Sequence, residues 1–179
     1  MKERTLLVAL LLGGLLTVAA ALDAQQTGKA QLLTGEDLNK LLPTSVFLDG
    51  ENAPVQRRNA VGARMGDGKI LVVTLIDTSG FSSQYQEKYV GMLMAQGNLV
   101  IGRSGIKPGA YGLGRRKTSV GSKLVHMFVL YDLGGNPVVE LPAHRDQELR
   151  PVKPIQLRVG AAPAARLYLG PYFVRLSTP

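Results

Sequence analysis

The sequence predicts an all-β protein, an antiparallel β-sandwich or partly open barrel, with one short helix near its N-terminus. Three observations lead there. Short apolar or alternating stretches recur along the chain, as half-buried strands require. Turn-forming residues separate them, Gly and Pro together supplying 21 and 10 of 179 residues. A single stretch carries both a helix start and a helix stop.

That stretch is Gly35–Leu42. Thr34 stands where a side-chain oxygen accepts from the backbone N–H near Asp37, and Glu36 and Asp37 suit the positive end of the helix. Leu33 and Leu38 occupy staple positions, Pro43 ends the helix, and Leu38, Leu41 and Leu42 form the face that lids the sheet core. The strands expected after it are Ser45–Leu48, Ala60–Arg64, Ile70–Ile76, Tyr85–Ala95, Leu99–Ile101 and Ala110–Arg115. Five more follow: Lys123–Tyr131, Pro137–Leu141, Ile155–Val159, Arg166–Leu169 and Tyr172–Leu176. Ile70–Ile76 is apolar on both faces, so it belongs in the middle of a sheet, and 124–131 is similar. Asp49-Gly50, Gly66-Asp67-Gly68, Gln96-Gly97-Asn98 and Gly134-Gly135-Asn136 read as turns. Pro108-Gly109 reads as a type II turn that opens a strand at Tyr111, whose ring packs while its hydroxyl stays in water. Gly170-Pro171 makes the last tight reversal. Arg150-Pro151-Val152-Lys153-Pro154 leads into Ile155–Val159 and marks a proline-guarded edge strand.

The N-terminus bears on compartment. Lys2 and Arg4 precede an apolar run, Leu6–Leu16, followed by Ala19-Ala20-Ala21 and Leu22-Asp23-Ala24. This is the order of a secretory signal peptide, with cleavage after Ala21 or Ala24. The reading is therefore a signal over residues 1–24 and one β-sandwich domain over 25–179, periplasmic or extracellular, with no second stretch of spanning length. The signal takes two cations and two acids with it, so the remainder keeps the net charge of +8. Outside the cytoplasm a cation of that size meets anionic polysaccharide or lipid headgroups.

Several chemistries are excluded outright. With no cysteine the chain has no disulfide, no thiol nucleophile and no Cys-ligated metal. Gly102-Arg103-Ser104-Gly105-Ile106 lacks the second glycine of a nucleophile elbow, and Gly112-Leu113-Gly114-Arg115-Arg116-Lys117 has neither the spacing of a phosphate loop nor a following helix. No nucleic-acid motif is present, and no cofactor or metal is expected. Asp77-Thr78-Ser79-Gly80 reads as a strand-ending turn. Asp77 with Glu87 is the carboxylate pair that a glycoside hydrolase would need. His144, Asp146 and Glu148 alternate and would share one face of an extended segment, with Arg145 and Arg150 at hand to pair with the acids. His126 alternates with Leu124, Phe128 and Leu130, so it faces the core with its nitrogens bonded. Phe81, Tyr85 and Tyr89 could offer sugars a platform, but read first as packing. The anion-binding candidates are two arginine-rich clusters, Arg57, Arg58 and Arg64, and Arg115, Arg116 and Lys117, because forked guanidiniums match carboxylate, sulfate and phosphate.

Five segments, Leu75–Ser83, Gln86–Tyr89, Pro108–Gly112, Arg150–Gln156 and Arg166–Gly170, resemble small exported bacterial β-sandwich proteins of uncharacterised function. The resemblance implies a single exported domain and supplies no activity, cofactor or site residue. The expected protein is a non-catalytic one of the cell envelope or exterior that binds anionic surface polymer. Beside it stand a carboxylate- or His-dependent hydrolase and a structural subunit that pairs strands with a partner.

Overall fold

Local turn chemistry sets the first hairpin. Asp49 and Gly50 both have positive φ, 53° and 84°, the type I′ signature that closes two strands through two residues. They join β2 (Ser45–Leu48) to β3 (Glu51–Arg64), which starts well before the expected Ala60. The computed structural model describes residues 30–160 and 164–179; the signal segment, 1–24, lies outside the described residues. The other elements are β1 (Gln31–Leu32), α1 (Gly35–Leu41), β4 (Ile70–Ile76), α2 (Ser83–Lys88), β5 (Gly91–Ala95), β6 (Leu99–Ile101) and β7 (Ser104–Ile106). They continue with β8 (Gly109–Val120), β9 (Lys123–Tyr131), β10 (Pro137–Pro142), β11 (His144–Arg145), β12 (Ile155–Val159), β13 (Ala164–Leu169) and β14 (Tyr172–Ser177).

Two antiparallel sheets result, one of them curled into a half-barrel; they have eight and six strands. The larger has the order β1-β3-β4-β5-β8-β9-β10, with β2 also on β3. The smaller sheet runs β12-β13-β14-β6-β7, with β11 also on β14. Between them lies the main core, where Leu71, Val73, Leu93, Leu113, Phe128 and Leu130 meet Ile155, Leu157, Leu167, Val174 and Leu176. As its composition predicts, β4 sits centrally: Leu71 and Val73 face the second sheet while Val72 and Ile76 face outward. The outward residues are covered by the two helices. Leu38 and Leu42 of the α1 segment close over Val72, so this helix lids the outer face rather than the space between sheets.

Thr34 precedes α1 but makes no side-chain bond to it; the cap is its carbonyl, which accepts from Leu38 N–H at 3.0 Å. Thr34→Ala should therefore cost about 0.5 kcal/mol or less in chemical denaturation, below the usual loss of a capping side chain.

The largest departure from expectation is at 83–95. Residues 83–88 are helical and only 91–95 form strand. Ser82 Oγ accepts from Tyr85 N–H at 3.3 Å, capping a turn that puts Phe81, Tyr85 and Tyr89 four residues apart, on one helical face. Their rings meet at 4.8 and 4.7 Å, and Tyr89 meets Tyr131 edge-on at 5.2 Å. Glycine makes room: a Cβ on Gly112 would come 2.6 Å from the Tyr89 ring, and one on Gly114 would land on the Lys88 carbonyl. Gly114→Ala should destabilise by about 1–3 kcal/mol or more, read by thermal unfolding, because the obstacle is backbone and cannot rotate away.

Other turns refine the reading. Gly109 is extended at φ 159° and opens β8, so Pro108-Gly109 is not a type II turn. Tyr111 instead donates its hydroxyl to the Lys107 carbonyl at 2.8 Å, the corner found in many β-sandwiches. Gly170 has φ 61° and Pro171 cannot have positive φ, so the β13–β14 turn is of the II′ class. Strands β1, β7 and β11 lie outside the expected set.

Candidate functional site

The structure separates the six basic candidates. Residues 56–59 bulge out of β3 between the Val55 and Ala60 pairings, and Arg57 and Arg58 ride on that bulge. The Arg57 guanidinium donates to the Asn39 and Leu42 carbonyls at 3.3 and 2.9 Å, closing the C-terminal end of α1 where cations are favoured. Arg64, at the far end of β3, donates to the Gly68 carbonyl at 3.0 Å and ties a hairpin turn. Arg116 forms an ion pair with Glu140. Adjacent residues of a strand point to opposite faces, so Arg115 and Lys117 face away from Arg116. The Arg115 guanidinium lies over Gly170, 3.7 Å from where a Cβ would stand. Arg58 lines a crevice of about 420 Å³ together with Lys153, Arg158 and Gln156.

That crevice opens onto a row absent from the candidates. In the antiparallel registers of the small sheet, Arg158 of β12 pairs with Arg166 of β13, and Arg166 pairs with Arg175 of β14. Directly opposed residues share a face, and alternation puts this face outside, since Leu157, Ala165, Leu167, Val174 and Leu176 point into the core. Three exposed arginines thus stand in register on adjacent strands, whose backbones are about 4.8 Å apart. None has a carboxylate within ion-pair distance among the described residues. Two of the guanidiniums lie over aromatic rings: that of Arg158 is 5.6 Å from the centre of the Tyr168 ring and that of Arg166 4.8 Å from the centre of the Phe173 ring. Two hollows adjoin the row. One, about 440 Å³, is lined by Arg158, Arg166, Tyr168 and Arg175; the other, about 540 Å³, by Arg145, Asp146, Gln147, Glu148, Arg158, Arg166 and Phe173.

Asp146 lines the same hollow as Arg158 and Arg166, and it is already occupied. Its carboxylate accepts from Tyr168 Oη at 2.9 Å and from Glu148 N–H at 3.1 Å. The Tyr168 bond above all, then the Glu148 backbone and the charges of Arg158 and Arg166, hold its pKa below the ordinary carboxylate value. Like charges directly opposed across strands are destabilising, and nothing in the packing of this sheet requires three of them in line. An anion laid across the strands would meet all three at once, with planar forks fit for bidentate contact.

The remaining candidates fall elsewhere. Asp77 Oδ1 accepts from Ser79 N–H at 3.0 Å, and its pKa is lowered chiefly by that bond and then by the Ser79 side chain. It closes its own turn as an ionised group; Glu87 lies on α2. His144 is exposed, tilted against Phe173 at 5.6 Å. Among the described residues no three His, Asp or Glu gather as metal ligands. His126 faces between the sheets and stacks on Tyr172 at 3.9 Å, but its Nδ1 is buried without a partner, unlike the bonded state expected. Burial first, then Arg115, Lys117 and Arg145, press its pKa downward. The Phe81, Tyr85 and Tyr89 rings pack against β5 and β8, with Tyr85 and Tyr89 buried; burial pushes the Tyr85 hydroxyl up to about 12. They are not a sugar platform.

Part of the arginine row was legible in the sequence. A two-residue turn at Gly170-Pro171 pairs Leu169 with Tyr172 and, three steps out, Arg166 with Arg175. Arg158 joins only through the β12–β13 register, across a longer connection that offers no such arithmetic. Comparison with protein-family models, with curated proteins and with solved structures finds no match.

Proposed function

We propose that this chain is an exported, non-catalytic β-sandwich protein of the cell envelope or exterior, which binds an anionic polymer along the outer face of its small sheet. The observation that carries this reading is the row Arg158, Arg166 and Arg175, three cations in register with no acid paired to them among the described residues. Arg58 and Lys153 continue the positive surface through the adjoining crevice, and the net charge of +8 draws polyanions from a distance. Single exposed contacts are worth about 0–1 kcal/mol each. Affinity therefore comes from a ligand that repeats its charges, such as a carboxylated, sulfated or phosphorylated polymer.

Retention on an immobilised polyuronate, followed through a salt series, tests the reading. Binding should be firm at low ionic strength and fade as the screening length shrinks below about 8 Å. Absence of retention even at the lowest salt removes it. Export is tested separately by N-terminal sequencing of the protein recovered outside the cytoplasm. The expected first residue is Leu22 or Gln25; an intact Met1 would contradict the signal reading.

A further inference from the structure

The β8–β9 hairpin outruns both sheets. Strand β5 pairs with β8 only as far as Leu113, and β10 pairs with β9 only from Tyr131 to Met127, with one more bond from Ala143 N–H to the His126 carbonyl. Beyond those points Lys117–Val125 is a two-stranded ribbon, with no third strand on either edge among the described residues. Its tip carries two of the three most exposed large apolar side chains among the described residues, Val120 at 63% and Leu124 at 60%; the third is Phe47 on β2, also at 60%. From Gly109 to Tyr131 there is no acidic residue, and Lys117 and Lys123 flank the tip without an ion-pair partner among the described residues.

The register says what kind of surface fits. Leu124 pairs with Ser119 and Val120 pairs with Lys123, so the two apolar side chains lie on opposite faces of the ribbon. A flat protein surface would cover one and leave the other in water. A medium that surrounds the tip on all sides buries both, and the acyl–headgroup boundary of a bilayer is such a medium. We propose that this tip is a membrane-surface anchor, inserting Val120 and Leu124 into a bilayer rich in anionic lipid while Lys117 and Lys123 rest against lipid phosphates. The tip is separate from the arginine row and does not depend on the polymer reading.

Co-sedimentation tests it with vesicles of equal parts phosphatidylglycerol and phosphatidylcholine, against vesicles of phosphatidylcholine alone. The full chain should sediment with the first and not with the second. The double change Val120→Ser and Leu124→Ser should lower vesicle binding about tenfold or more. Each of Lys117→Gln and Lys123→Gln should lower it about fivefold. All four side chains are exposed, so thermal unfolding should not move, and the serine variant should keep its retention on polyuronate. Conversely, Arg158→Gln, Arg166→Gln and Arg175→Gln together should leave vesicle binding intact. The proposal is overturned if the serine variant binds anionic vesicles like the parent, if binding ignores lipid charge or does not occur, or if the arginine changes abolish it. It is equally overturned if the serine changes dissolve a dimer rather than a lipid complex, which would make the tip a contact between copies.

Discussion

Changing Arg158, Arg166 and Arg175 together to glutamine is expected to reduce retention on an anionic polymer by about tenfold to a hundredfold at low salt. Each exposed contact contributes about 0–1 kcal/mol, and the three act on one extended ligand. Thermal stability should hold or rise slightly, because the changes relieve repulsion between cations opposed across β12, β13 and β14. Arg57→Gln supplies the contrast. Its guanidinium is committed to the Asn39 and Leu42 carbonyls, so the loss should be about 1 kcal/mol of stability with binding unchanged. Arg166→Lys keeps the charge but not the fork, and should fall between parent and glutamine if the ligand is held bidentately. Equal retention by the triple variant and the parent would remove the row from any role in binding.

The same comparison shows what a linear reading of this chain captures. The burial of Ile70–Ile76 on both faces was legible because its apolar run leaves no polar face to expose, and it is the central strand between β3 and β5. The helix at 83–88 was not, since tyrosines spaced by four look alike on a strand and on a helix. What decides is the pair Gly112 and Gly114, far along the chain, whose missing side chains let α2 and its rings lie against β8. The basic residues follow the same logic. Arg115-Arg116-Lys117 and Arg57-Arg58 stand out because they are contiguous, yet contiguity on a strand sends neighbours to opposite faces. The arginines that do line up are eight and nine positions apart, and their alignment belongs to the hairpin registers. Concentrated charge in a β-protein is written across strands, and local clustering is a poor guide to it.

Tyr168 joins this row to the fold, and its removal should give the largest stability loss among the site residues. It has no exposed surface, packs with Leu149 and Phe173 on the outer face of the small sheet, and supports Arg158. Tyr168→Ala should cost about 3–5 kcal/mol in chemical denaturation, as for other buried aromatic rings. It should also loosen the 143–154 segment that Leu149 pins there. Tyr168→Phe isolates the hydroxyl. That hydroxyl is the largest influence holding the Asp146 pKa below its ordinary value of 3.8, and a carboxylate with a lowered folded-state pKa stabilises the native form above the unfolded pKa. The contribution is lost as pH falls through the folded-state value. The phenylalanine variant should therefore be less stable than the parent at neutral pH, and the gap should close as the solution is acidified through the parent's lowered folded-state value. NMR titration of the Asp146 carboxyl should show its midpoint moving upward in the variant. A midpoint that stays put, or a stability gap that persists unchanged in acid, would mean that the ring alone matters. Tyr168 would then be packing, with no electrostatic part in keeping Asp146 away from the arginines.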